Sequence, residues 1–512
     1  MQDDHQNTTS VIDVKQLGFW ASISSLGYVF WICGGMEMVE RLAFYGVRYS
    51  TQLYATTAQS QGGLGLVGQQ LGEILLVWAL IQSFVPVFTG GISDRYGYKE
   101  TIFASTIFKI MGYLLMAWFP TYWGFMAGAA VLAFGTAIFK PGLQGTIVRA
   151  TNRQNSSMAW AIFYQTVNIG GFMGPILAGY LRQMDWSYVF YACAAIISLN
   201  FLLLLTYKEQ DKEERLARNA RVKAGTEVRQ SLWRQSLKEL SRPVVIWYVV
   251  LLSGFWFMLW AYWDISTLYF RDWVDSRDFG MTLFGPEGPN AFFKRFFTMS
   301  NDGTRVLPEG LLNINGMLIM FTCFIVAGLS GKLKAANSMA IGTFGASAAL
   351  LLLGGFNGLW ICVAAIFIFS MGEMLASPKS SEYMGNIAPQ DKKAMYIGFS
   401  QLPLGIGWSI ESYTGQILYQ NYGSKEQISR KILSEQGLSP DEIQSIPIGE
   451  AFDKLVMIMG QTPEAVTTML YQSHDIWKAW ILFPVVGMIC ALGLWIYGRW
   501  TYRIAQMDQA AQ

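Results

Sequence analysis

Gly90-Gly91-Ile92-Ser93-Asp94-Arg95-Tyr96-Gly97 is a short, glycine-rich polar stretch between two apolar runs, 70–91 and 100–119. Each run has about the 20 residues that a bilayer core requires. The stretch therefore reads as a tight turn joining two membrane-spanning helices, with Asp94 and Arg95 at a membrane surface. Outward from it, the same alternation gives twelve candidate helices, near 24–50, 70–91, 100–119, 122–147, 158–182, 186–207, 243–270, 311–330, 336–355, 358–382, 393–420 and 476–499. Composition agrees, since the 512 residues are 52% hydrophobic, 15% aromatic and only 14% charged, where soluble domains carry about 25% charged residues. So much apolar surface must face lipid, and the fold class is an all-α membrane protein.

Lys and Arg fix the expected orientation, because short cytoplasmic loops collect them. Arg95 and Lys99, Arg149 and Arg153, Lys332 and Lys334, and Lys392 and Lys393 fall in alternate loops, while 51–69, 120–121 and 356–357 hold neither type. Both termini are thus expected in the cytoplasm and the protein in the inner membrane. The leader MQDDHQNTTSVIDVKQL is polar and acidic, without the basic start and small-residue cleavage site of a signal peptide, so the first helix is expected to be retained. Residues 207–242 carry ten Lys or Arg and six Asp or Glu and read as a charged cytoplasmic linker between two halves. The expected organisation is a leader (1–23), a six-helix bundle (24–207), the linker (208–242), a second six-helix bundle (243–500) with outer loops 271–310 and 421–475, and a cytoplasmic tail (501–512).

Several function classes fall away. The net charge is +2 and the basic residues sit in short loops rather than one stripe, so no nucleic-acid partner is expected. Cys33, Cys193, Cys323, Cys362 and Cys490 lie in apolar runs at spacings of no metal site, and no metal or cofactor is expected. No nucleophile–base pair or phosphate loop stands out, which argues against an enzyme. Only His5 and His474 are present, both outside the helices, so proton chemistry in the membrane falls to carboxylates.

Ionisable residues inside spanning helices cost several kcal/mol and by default mark a functional cavity. The first helix holds four in the run GGMEMVERLAFYGVR: Glu37, Glu40, Arg41 and Arg48. Glu37 stands three residues before Glu40 and four before Arg41, which puts all three on one face, where opposite charges can pair. Lys140, Asp264 and Glu373 are further charges within apolar runs.

The stretch 90–97 resembles the signature GGxxaDrxG of the major facilitator superfamily. Ala327-Gly328-Leu329-Ser330-Gly331-Lys332 is a weaker echo at the equivalent place in the second half. More narrowly, Glu37-x-x-Glu40-Arg41-x-x-x-Tyr45-Gly46 resembles the ExxERFxYYG motif of the proton-dependent oligopeptide transporter family, with Leu42 and Phe44 departing from it. Gly135 to Pro141, including Lys140, is similar to the family's GxGxxKP segment, and Phe163-Tyr164 to Gly170, including Asn168, to FYxxINxG. Trp260 to Asp264 resembles WxxxE with Asp for Glu. Asn313 to Gly316, including Asn315, stands where the family reads LNP, and Glu373 to Pro378 is close to ExxxSP, followed by Ala388-Pro389. Residues 207–242 are too short and too charged to supply the two additional helices common in bacterial members, and Gly398-Phe399-Ser400 stands where GxW is expected.

The resemblance implies a twelve-helix major facilitator fold and a proton-coupled symporter that imports di- and tripeptides as a monomer, driven by the proton gradient. An alternative cargo is another zwitterionic or amphiphilic metabolite. It further implies that Arg41 and Lys140 meet the peptide carboxylate, Glu373 its amine, and Asn168 and Asn315 its backbone, with Tyr45 and Trp260 shaping side-chain pockets. Glu37, Glu40, Arg41, Lys140, Asp264 and Glu373 would carry proton coupling, with Glu37 and Glu40 competing for Arg41 and Lys140. Arg48 with Asp264, and Asp94 with Arg95, would serve the gates, and a Lys140–Glu373 contact would link the halves near the centre.

Overall fold

The structure is a computed structural model and describes residues 19–152, 155–209, 212–224, 238–330, 333–387, 396 and 399–510. Among them run twelve long helices: α1 (Tyr28–Thr56), α2 (Gly68–Tyr96), α3 (Tyr98–Trp118), α4 (Tyr122–Ala150), α5 (Ser156–Leu181), α6 (Trp186–Leu205), α7 (Pro243–Trp273), α8 (Pro308–Ser330), α9 (Ala335–Gly355), α10 (Leu359–Ile387), α11 (Leu402–Leu418) and α12 (Leu482–Ala510). The chain is an all-α, multi-pass membrane protein. Among the described residues seven helices (α3, α4, α6, α7, α9, α10 and α12) are each long and apolar enough to cross a membrane by length and composition. Helix α1 carries four charges, and α11 has only 17 residues.

Helix ends depart from the sequence reading in places. Glycine-rich 90–97 is not a loop: α2 continues through Tyr96, and the turn is the single residue Gly97, at φ 120°. A Cβ there would meet the flanking carbonyl, so glycine is required. Helix α12 starts at Leu482, after a short 3-10 turn at Ile476–Ala479, and runs to Ala510 through the stretch read as a tail. Helix α11 ends in a π turn, Tyr419–Gly423. Outside the described residues lie 1–18 of the leader, 225–237 of the linker, Gly331 and Lys332 of the second signature, and Ala388-Pro389; the side chains of Asp94 and Arg95 are likewise outside them.

Packing repeats with a period of six helices. Helix α1 packs on α5 and α6, α3 on α4 and α6, and α2 on α4; α7 packs on α11 and α12, α9 on α10 and α12, and α8 on α10. The two sets are joined by α2 against α11 and by α5 against α8, with α1 touching α7. This is the arrangement expected of two repeats around a central site. One end of the bundle carries 57–67, 119–121, 182–185, 274–307, 356–358 and 419–481. The last of these folds into four short helices (Lys425–Glu435, Pro440–Ser445, Ala451–Met459 and Pro463–Ser473), and 274–307 adds two more. Arg430 ties this cap together, pairing with Glu426 (2.7 Å) and donating to the Ile443 and Ile446 carbonyls.

Glycines set the closest helix contacts. On α5, a Cβ at Gly170 would lie 2.5 Å from the Met38 carbonyl oxygen and 2.8 Å from Arg41 Cβ, and at Gly174 2.7 Å from both Gly46 N and the Leu42 oxygen. Small residues four apart let α1 and α5 meet backbone to backbone, the common packing solution where lipid removes the hydrophobic drive between helices. Gly174→Val is therefore expected to push α1 off α5 and to cost about 1–3 kcal/mol, as overpacking does. Thermal unfolding in detergent should show a lower midpoint; an unchanged midpoint would mean that the contact bears no packing load.

Candidate transport site

Midway along α1, Arg41 pairs with both flanking carboxylates: its Nε lies 3.0 Å from Glu37 Oε1 and its Nη2 2.6 Å from Glu40 Oε2. The other Glu40 oxygen accepts from Lys109 Nζ of α3 at 2.9 Å, and that ammonium sits 3.7 Å above the ring of Phe139. All four charged side chains are buried, at 1–4% exposure. Gly135 of α4 explains how Lys109 fits, since a Cβ there would lie 2.9 Å from Lys109 Cγ. Lys109 was missed in the sequence reading. Its signal was the same as for Lys140, a lysine inside an apolar run.

Lys140 on α4 differs from this set. It acts electrostatically on both Glu37 and Glu40, yet its side chain is exposed, and it makes no ion pair within 4 Å among the described residues. The cluster thus holds two carboxylates (Glu37, Glu40) and three cations (Arg41, Lys109, Lys140), which leaves one positive charge in excess. The structure also revises the expected competition: Glu40 is shared by Arg41 and Lys109, while Lys140 stands free of both.

Across the bundle, Glu373 of α10 is half-buried. Its Oε2 accepts from Asn315 Nδ2 of α8 at 2.9 Å, and the same amide nitrogen reaches Ser370 Oγ at 3.0 Å. No cation pairs with Glu373 among the described residues, so the expected Lys140–Glu373 contact is not made in this state. Asn168 spends its amide on its own helix, donating to the Tyr164 carbonyl at 3.0 Å. Tyr45 is half-buried, with the Arg41 guanidinium 5.8 Å from its ring centre.

Toward the capped end the halves are pinned together. Arg48 of α1, about 12 Å before the helix end at 1.5 Å per residue, bonds Asp264 of α7 through Nη2, and Gln52 Nε2 adds a bond to the same Asp264 Oδ1 at 3.0 Å. Three tryptophans surround the guanidinium, with Trp78, Trp260 and Trp408 centred 5.9, 5.6 and 5.4 Å away. Trp260 stacks on Trp408 at 4.4 Å, which places it at this contact. A second bridge went unread in the sequence: Arg182, at the end of α5, grips Glu309 at the start of α8, with Nη2 to Oε2 at 2.8 Å. Tyr49 of α1 also stacks on Trp263 of α7, ring centres 5.1 Å apart. Nearer the middle, Gln165 of α5 donates to the Met320 carbonyl of α8 (2.8 Å) and Asn313 to that of Phe172 (2.9 Å).

Two helical repeats, a charged centre, and ion pairs between halves at one end together define a membrane fold of two six-helix bundles. The chain belongs to the Major Facilitator Superfamily, whose family model matches residues 42–410. Among curated relatives it is similar to the uncharacterized transporter YclF of Bacillus subtilis, 24% identical over 193 residues, covering 37% of this chain and 38% of that protein. It is also similar to the peptide transporter YePEPT of Yersinia enterocolitica, 27% identical over 162 residues, covering 30% and 31%. The matches thus span about a third of the length of these two relatives. In fold it is similar to a crystal structure of a POT family transporter in complex with 5-aminolevulinic acid, at TM-score 0.65 and 15% identity, covering 93% of this chain and 99% of that one.

Proposed function

We propose that this protein is a proton-coupled symporter that imports di- and tripeptides across the inner membrane by alternating access, acting as a monomer, with both termini in the cytoplasm and no cofactor beyond the proton gradient. One observation carries the reading. Among the described residues, the first half presents a net positive pole ending in Lys140 without an ion pair, and the second presents Glu373, held by the amide of Asn315 and by no cation. A free peptide carries a carboxylate at one end and an ammonium at the other, so the two poles match its ends. Charge-assisted hydrogen bonds in a cavity of low dielectric are strong enough to replace the hydration it loses. The likeness to the peptide transporter YePEPT supports the same class of cargo.

The pinned end, where Arg48–Asp264 and Arg182–Glu309 join the halves, is the outer gate in its closed state. Breaking these contacts and forming others at the opposite end exchanges access, as bistable contacts allow. A different zwitterion of similar span is the second reading, favoured by the 5-aminolevulinic acid bound to a structural neighbour. Labelled dialanine in proteoliposomes under an inward proton gradient separates the two. Accumulation that a protonophore abolishes is the expected result. No accumulation of dialanine, with uptake of 5-aminolevulinic acid in the same vesicles, would replace peptide by the smaller zwitterion.

A further inference from the structure

Beside the Arg48–Asp264 pair lies a carboxylate to which nothing so far gives a role. Glu411 of α11 is 0% exposed, as is Asp264, and the two carboxyl groups act on each other at close range across the α7–α11 contact, with no donor between them among the described residues. Arg48 from α1 and Asp264 from α7 are the charged groups that act on it. Two carboxylates therefore share one guanidinium inside a wall of tryptophan. Leaving both ionised would bury an uncompensated negative charge, which costs several kcal/mol.

The hydrogen bonds tell which of the two is charged. Asp264 Oδ1 accepts from Arg48 Nη2 and from Gln52 Nε2, while Gln416 Nε2 holds the Asp264 backbone carbonyl at 3.1 Å. Among the described residues, both oxygens of Glu411, and Asp264 Oδ2, have no donor. Donors to a carboxylate favour its ionised form, and their lack favours the neutral one. Orphaned buried acceptors facing each other are what a shared proton satisfies.

We propose that Asp264 and Glu411 form a proton-binding site of the closed outer gate, with the proton on Glu411 donated to Asp264 Oδ2. Closing the gate then takes one proton from the outer water: Glu411 ionised and hydrated in the open state becomes neutral in the closed one, and its O–H is the only covalent bond that changes. Acidic pH outside favours closure, and alkaline pH removes the proton and sets two carboxylates against one arginine. Asp264 and Glu411 both belong to the second half, so the carboxyl pair itself survives opening; closure adds Arg48 and Gln52 from the first half, which hold Asp264 ionised, and shuts water away from Glu411. This site deepens the alternating-access reading and rests on it for the meaning of closure, but the proton itself can be seen without any cargo.

Glu411→Gln keeps the shape and an N–H donor but cannot titrate. Infrared spectra of purified, cargo-free protein should show a protonated-carboxyl stretch that Glu411→Gln lacks. In a second measurement, Tyr49→Cys, at the α1–α7 contact and in a chain whose Cys323 is replaced by Ser, is labelled from outside with an impermeant maleimide; divided at each pH by the rate for free glutathione, so that thiolate formation cancels, labelling should be roughly tenfold faster at alkaline than at acidic pH, the scale of one lost proton contact. With Glu411→Gln added, labelling should be slow at every pH. An infrared band that survives the substitution, or labelling whose pH dependence is absent in the parent or unchanged by the substitution, would overturn the proposal. Failure of dialanine uptake alone would touch only the cargo.

Discussion

Lys140→Ala is expected to abolish gradient-driven dialanine accumulation and to weaken dialanine binding by roughly ten- to a hundredfold, the worth of a hydrogen bond to a charged group, about 1.5–3 kcal/mol. Lys140 is the one cation of its cluster without an ion pair among the described residues, so its loss leaves no buried carboxylate stranded. Glu40 keeps Arg41 at 2.6 Å and Lys109 at 2.9 Å, and Glu37 keeps Arg41 at 3.0 Å. Folding should be spared, with an unfolding midpoint close to that of the parent. Glu37→Gln acts differently. It removes one of two carboxylates and fixes the cluster in the charge state that a bound proton would give, so exchange of dialanine across the vesicle membrane should continue while gradient-driven accumulation is lost. Accumulation at the parental level in either variant would remove the central cluster from the mechanism.

Much of this arrangement was legible in the chain, and the reasons are physical. Spanning helices show themselves by length and apolarity, which gave a candidate at each of the twelve long helices though not always its ends, as Leu402–Leu418 and Leu482–Ala510 show, and charges in apolar runs show themselves by their cost, which gave Glu37, Glu40, Arg41, Arg48, Lys140, Asp264 and Glu373. Partners were harder. Within α1, pairing follows from a spacing of four residues, so Arg41 with Glu37 could be read directly. Lys109 with Glu40, Arg182 with Glu309, and Glu411 with Asp264 join helices 69, 127 and 147 residues apart in the chain, where no periodicity reaches. Arg182 and Glu309 were hidden further because each sits at a helix end, where a charge is ordinary. Gly97 shows the converse limit: a glycine-rich stretch reads as a loop, yet a single residue with positive φ makes the whole turn and the rest is helix.

Arg48→Ala should open the outer gate. The guanidinium neutralises Asp264 within three tryptophan rings, and its removal leaves a buried negative charge with only Gln52 and Glu411 beside it. Breaking a buried pair from one side costs about 3–5 kcal/mol. At about 1.4 kcal/mol per factor of ten, the closed state should lose roughly two to three and a half orders of magnitude in population against the open one. With Tyr49→Cys as reporter, on a chain whose partly buried Cys323 is replaced by Ser, outside labelling should rise by roughly that factor until opening is no longer limiting. Arg182→Ala should act in the same direction, because the Glu309 it leaves is 0% exposed and becomes a second buried carboxylate without its cation. Removing both partners, in Arg48→Ala with Asp264→Ala, should return labelling toward the parental rate, since no uncompensated charge remains and Glu411 alone can stay neutral. Equal labelling in the single and double variants would mean that closure is set by the tryptophan stack and the α5–α8 contact, with the Arg48–Asp264 pair only a passenger.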